Sequence, residues 1–73
     1  MTSIDWIPVG GTIVDIHVED CGRSAGRQRW AAEVPPACRA RILPGSDYRV
    51  AAVAGTRQEA VDRVKLAIAY LMP

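Results

Sequence analysis

The chain offers few side chains that could do chemistry. His17 is its single histidine, and Cys21 and Cys38 are its two cysteines. Together they could interest a zinc ion. None of them stands at the C-x-x-C spacing that presents two thiolates to one metal. They read as two ordinary thiols and a strand histidine turned to solvent. As a general base, His17 would need an orienting partner, and the chain contains no serine–histidine–acid set. Asp15 with Glu59 or Asp62 could be imagined as a carboxylate metal site. A nuclease of that kind needs several acids facing inward from neighbouring strands, and the other strands supply only Glu33. Solvated surface carboxylates are the simpler reading. Gly10-Gly11 precedes no G-K-[ST], so no phosphate loop is spelled out. The expectation is a protein without catalytic residues, metal or cofactor.

Charge is placed unevenly along the chain. Residues 1–20 hold Asp5, Asp15, Glu19 and Asp20 with no lysine or arginine. Residues 21–49 hold Arg23, Arg27, Arg29, Arg39, Arg41 and Arg49 against Glu33 and Asp47. The net charge of +1 conceals this division. Arg27, Arg29, Arg39, Arg41 and Arg49 could share the outer face of a sheet, and guanidinium forks suit phosphates and guanine edges. Nucleic acid is therefore the alternative partner. However, Trp30 is expected to face a helix, which leaves no aromatic stacking platform. Solubilising the exposed face and pairing across strands with Glu33, Asp15 or Glu19 is the favoured account of the arginines.

These residues must be held by strands and one helix. "TIVDIHVE" (12–19) alternates, with Val14, Ile16 and Val18 on one face and Ile13, Asp15, His17 and Glu19 on the other. Ile4, Trp6 and Ile7 are expected to fold back over an edge, with Pro8 limiting their pairing. After the loop 20–26 comes "RQRWAAEV" (27–34). It places Gln28, Trp30, Ala32 and Val34 opposite Arg27, Arg29, Ala31 and Glu33. Pro35-Pro36 ends that strand. "ACRARIL" (37–43) alternates again and is read as a short strand, with an ordered loop fitting nearly as well. "PGSD" (44–47) is a turn, and 48–54 is the returning strand. Residues 57–71 form a helix. Thr56 and Glu59 spell a capping box, and Ala60, Val61, Val64, Ala67, Ile68, Leu71 and Met72 form one stripe. The fold class expected is α+β: one two-layer domain, with a three- to four-stranded, mainly antiparallel sheet packed against one C-terminal helix.

Size and composition agree with such a domain. Of 73 residues, 49% are apolar and 23% charged, so the chain should fold and stay soluble. A domain this small buries only about 60–65% of its unfolded surface, so association would add usefully to its stability. No apolar run approaches a membrane span. "MTSIDWIPVGG" lacks the basic start and apolar centre of a signal peptide, so a cytosolic location with reduced cysteines is expected.

Leu66 stands about 160° from Val64 on the helical wheel, among charges, with Ala69 and Tyr70 beside it. Three apolar residues on the polar side of the helix point to a second contact. The covering chain could be another copy, giving a homodimer or larger homo-oligomer, or a different protein.

"RWAAEVP" (29–35), "LPG" (43–45) and "AGTRQEAVDRVKLAIAYLM" (54–72) occur in an order that resembles the HicB antitoxin family. Trp30, Ala32, Glu33, Val34 and Pro35 match the first run. Leu43, Pro44 and Gly45 match the turn, and Gly55, Thr56, Glu59 and Ala60 match the helix start. "VEDCG" (18–22) resembles the acidic turn after the family's first strand. The resemblance covers about residues 12–72 and implies a partial ribonuclease-H-like domain without catalytic residues. It implies binding to a HicA-like toxin, a small mRNA-cleaving ribonuclease, and self-association. Family toxins are basic, so Asp15, Glu19 and Asp20 could steer one in, while the arginines work against it. "PACRARI" (36–42) reads as an insertion, and the Ser24–Gln28 loop as extended. With the chain ending at Pro73, the family's DNA-binding domain is not expected. That leaves a minimal antitoxin or an orphan relative.

Overall fold

The computed structural model describes residues 2–46 and 48–71. Its elements are β1 (Thr2–Val9), β2 (Thr12–Ser24), β3 (Arg27–Glu33), α1 (Pro36–Ile42), β4 (Ala51–Ala54) and α2 (Arg57–Leu71). The strands form one antiparallel sheet in chain order, β1-β2-β3-β4. The helix α2 lies on one face of it, giving the expected α+β, two-layer architecture with four strands.

Alternation along β2 decides which face α2 covers. Val14, Ile16 and Val18 are fully buried, as are Val34, Ala60, Val61 and Val64, with Ala32, Val50 and Ile68 nearly so. Each of the valines and isoleucines gains about 1.5–3 kcal/mol by leaving water. The stripe on α2 is thus the lower half of a single core, with Trp30, Ala67 and Leu71 packed at its margin. Met72 lies outside the described residues, as does Asp47 of the expected turn.

Two hairpins set the register of the sheet. Val9 pairs with Thr12 around Gly10-Gly11, whose φ values are +54° and +81°. Ser24 pairs with Arg27 around Ala25 and Gly26, at +53° and +76°. Both are two-residue turns with positive φ throughout, whose twist matches that of the flanking strands. The segment 20–26, expected as a loop, is therefore mostly strand. Between the pairs Asp20↔Trp30 and Arg23↔Gln28, Cys21 and Gly22 together stand opposite Arg29. This is a β-bulge with Gly22 at φ +74°. Asp20 fastens it by accepting hydrogen bonds from Gly22 N (2.9 Å) and from the Gln28 side-chain amide.

The first strand is more complete than the sequence suggested. β1 pairs with β2 from Thr2↔Glu19 to Val9↔Thr12, and Pro8 stands in register with Ile13. Pro8 is tolerated because β1 is an edge strand. Trp6 and Ile4 lie on the solvent side of the sheet, and Ile7 on the core side.

The segment 37–43 is not a strand. Pro36 to Ile42 form α1, with Pro36 in the first turn, where its missing N–H costs nothing and its φ suits a helix. Ile42 enters the core, and Cys38 and Leu43 pack beside it. In C-R-A-R-I the spacing from Cys38 to Ile42 is one helical turn, so the same letters serve both periods. Next, Leu43, Pro44, Gly45 and Ser46 form a turn closed by Ser46 N donating to Leu43 O (3.2 Å), with Gly45 at φ +74°. Proline second and glycine third are what a type II turn requires. β4 begins only at Ala51, but Val34 N still donates to Val50 O (3.0 Å), which extends the β3–β4 pairing by one step.

α2 starts as Thr56 implies: its Oγ1 accepts from Glu59 N at 3.1 Å. The capping box is only half made, because the Glu59 carboxylate turns to Arg63 (2.8 Å) one turn on. The helix is tethered on both flanks. Arg57 reaches Asp5 (3.2 Å) and the Ser3 hydroxyl, Lys65 reaches Asp5 (3.7 Å), and Arg63 donates to Val53 O on β4 (2.9 Å).

Candidate functional site

Only one face of the sheet is covered. The radius of gyration is 12.4 Å, against about 11 Å for a compact chain of this length. The accessible surface is 4872 Å², against about 4,400 Å² for a monomer of this mass. Two apolar areas stand exposed on opposite sides of the molecule.

The first is on the back of α2. Leu66 is 72% exposed and Tyr70 87%. Helical spacing places Leu66 directly opposite the buried stripe. Tyr70 stands to one side, towards the chain that enters β4. There Tyr48 (64% exposed) joins Arg63, Leu66, Ala67, Tyr70 and Leu71 around a shallow, mainly apolar groove. Tyr48 was not singled out from sequence. An aromatic just ahead of the last strand was the available signal, but its side depended on the path of α1. Ala69 is exposed on the other flank of Leu66, outside the groove.

The second is the outer face of the sheet. Ile4 and Trp6 on β1, Ile13 on β2 and Val53 on β4 are each more than half exposed. The register sets Trp6 beside Asp15, Ile4 beside His17, His17 beside Glu33, and Ala31 between Glu19 and Val53. The small Ala31 leaves a shallow dimple bordered by Thr2, His17, Glu19 and Glu33. Glu33 accepts two bonds from Arg49, at 2.6 and 2.7 Å. This fork holds the Glu33 carboxyl below its ordinary range and raises the Arg49 guanidinium above its own. On the covered side of β1, Asp5 accepts from Trp6 N at 2.8 Å. That bond first, then Arg57 and Lys65, depresses its carboxyl against the opposing effect of burial.

The residues expected to meet one partner are therefore divided. Leu66, Ala69 and Tyr70 lie on the helical layer. Asp15 and Glu19 lie on the far side of the sheet, and Asp20 is occupied in fastening the bulge. The arginines are divided too. Arg27 and Arg29 stand on the outer side of β3, near the hairpin tip, whereas Arg39 and Arg41 are on α1. Arg41 reaches back to Thr12 Oγ1 (3.3 Å), and Arg49 is taken by Glu33. The expected five-arginine sheet face is not assembled, because the segment carrying two of the five is helical.

Cys21 and Cys38 are both free thiols. Among the described residues, no three acidic, histidine or cysteine side chains gather where a metal could be held, and no helix is long and apolar enough to cross a membrane. Comparison of the chain with family models, curated proteins and solved structures returns no match.

Proposed function

We propose that the chain is a non-enzymatic protein-binding module of antitoxin type, and that the back of α2 is where a partner docks. The observation that carries this is the groove between Tyr48 and α2, where two tyrosines and Leu66 stand in water. Tyrosine buries a large apolar area with little side-chain entropy to lose and keeps a hydroxyl for a hydrogen bond. Arg63 at the rim adds a planar donor. Such a groove suits an aliphatic or aromatic anchor from another protein.

The resemblance to HicB antitoxins supplies the partner to try, a small mRNA-cleaving ribonuclease of the HicA type. Its support is the order of elements. A strand ending in "WAAE" and followed by Val34-Pro35 precedes a Leu43-Pro44-Gly45 turn, a further strand, and a helix capped by Thr56. An orphan relative would keep this architecture and bind something else through the same groove.

The test is co-expression with a short basic protein encoded beside this chain. The expected result is relief of the growth arrest that protein causes, and loss of relief with Leu66→Lys or Tyr70→Glu while the helical circular dichroism is kept. Unchanged protection by both variants would overturn the groove as the docking site. Binding to RNA that collapses between 50 and 200 mM salt, with no protein captured, would favour the nucleic-acid reading instead.

A further inference from the structure

The sheet has two edges, and only one of them is guarded. β1 carries Pro8, which has no N–H to offer, and Asp5, a charge turned to the covered side and held there by Arg57 and Lys65. Both features discourage a foreign strand from joining a sheet. β4, at the other edge, reads Ala51-Ala52-Val53-Ala54, with no charge, no proline and no bulge.

Taking the groove beside Tyr48 as the docking site, we propose that β4 accepts an extended segment of a partner protein as a fifth strand, whose side chains enter that groove.

The register identifies the backbone groups that would receive it. Val34 N donates to Val50 O (3.0 Å), so Val34 and Val50 form a hydrogen-bonded pair. Such pairs alternate along an antiparallel ladder. Ala32↔Ala52 and Trp30↔Ala54 are therefore bonded pairs too, and Ala51 and Val53 turn their N–H and C=O groups away from β3. One of these four groups is already taken, because Arg63 donates to Val53 O (2.9 Å). Among the described residues, Ala51 N, Ala51 O and Val53 N meet no partner. An added strand running in either direction can bond all three.

Side-chain parity joins this edge to the groove. Ala52 and Ala54 point to the covered side of the sheet, as does Val50. Tyr48, two residues ahead of Val50, stands on that side with Arg63, Ala67 and Tyr70 of α2. Spacings of four and three set those helical residues in one row. The bond from Arg63 to Val53 O fixes the row above the edge of β4. A strand about 4.8 Å outside β4 would lay every second side chain beneath it. The other side chains would continue the outer face beside Val53, which is 53% exposed.

Charge narrows the occupant. Arg49 is held by Glu33 and Arg63 by Glu59, so an acidic segment would have to break an existing pair to gain one. The segment that fits is proline-free and uncharged, with aliphatic or aromatic side chains alternating on the helix side.

Panning a phage-displayed library of random linear dodecapeptides on the full chain tests this. The expected result is enrichment of proline-free sequences that alternate apolar and polar residues. A synthetic copy of the most enriched peptide should slow amide exchange at Ala51 and Val53 about tenfold or more. Ala51→Pro deletes one outward N–H and leaves the bonds to β3 whole, so it should weaken that peptide about tenfold with the circular dichroism kept. Methylating the peptide's amide nitrogens that face β4 should do the same without altering the protein. Enrichment of helical periodicity, or of nothing, overturns the proposal, as does binding indifferent to both changes. A chain that dimerises alone and protects these two amides makes a second copy the occupant and overturns it as well. In the co-expression assay, relief lost with Leu66→Lys but kept with Ala51→Pro defeats strand addition alone. Relief kept by both Leu66→Lys and Tyr70→Glu defeats the docking site itself.

Discussion

The two faces of β2 are built from alternate residues of one strand, yet they behave as different materials. On the covered face, Val14, Ile16 and Val18 touch no water. On the open face, Ile13 is 54% exposed and its neighbours are Asp15, His17 and Glu19. Both faces contain β-branched residues, so intrinsic strand preference does not separate them. What separates them is the presence of α2, and so a residue's contribution to stability depends on whether a second layer reaches it.

The sharpest way to break that comparison is to hollow out the covered face. Ile16→Ala should cost about 2–5 kcal/mol in denaturant unfolding, because the cavity lies between sheet and helix where neither can collapse fully. Loosening the cover should cost less. Thr56→Ala removes the acceptor for Glu59 N–H and should lower stability by about 1 kcal/mol, seen as a lower denaturant midpoint with the slope unchanged.

The hairpin that joins β2 to β3 offers a gain. Ala25 sits at φ +53°, where a side chain is disfavoured. Ala25→Gly should stabilise the protein by up to about 1 kcal/mol, a value that greater unfolded-state freedom will trim. A thermal midpoint lower than that of the parent chain would show that the turn carries no such strain.

Acid should distinguish the two faces by the size of its effect. The Asp5 carboxyl is depressed in the folded protein by Trp6 N–H and by Arg57 and Lys65 on α2. A depressed acid contributes stability above its unfolded value, about pH 4, and that contribution is lost as pH falls through the folded value. Asp5→Asn should flatten the acid limb of a pH–stability profile, because this pair ties the layers together. Glu33 is also depressed, but its partner Arg49 is well exposed, and Glu33→Gln should change the profile less. The smallest effect belongs to the open face. Ile13→Thr, measured at concentrations too low for association, should stay within about 0.5 kcal/mol of the parent.

Much of this was legible in the residues. The alternation of 12–19 and 27–34 assigned both faces of the two central strands, and the spacing from Ala60 to Ile68 assigned the buried side of α2. Each pattern has one period and an unambiguous polar side. The short helix α1 was misread because Cys38, Ala40 and Ile42 satisfy period two as well as Cys38 and Ile42 satisfy a helical turn. Pro35-Pro36 reads in sequence as a terminator, whereas Pro36 also begins the next element. That error scattered the arginines: with α1 helical, Arg39 and Arg41 leave the sheet. The full extent of β1 was hidden by Pro8, whose placement on an edge requires knowing which strand is outermost. Leu66 and Tyr70 were found on the helical wheel alone. Tyr48 was not, since its approach to them depends on a turn and a helix that bring distant residues together.

The bulge at Cys21 and Gly22 gives the two ends of the sheet unequal tolerance to changes in length. A residue removed beyond Asp20 can be absorbed by straightening β2, leaving Ala32 and Val34 pointing inward. The turn at Gly10-Gly11 has no spare residue. One deletion within β1 would reverse the parity of every position on its far side, exchanging the places of Trp6 and Asp5. Natural variation in chain length is therefore to be looked for at the Ala25 tip, while the opposite tip should be invariant in its count.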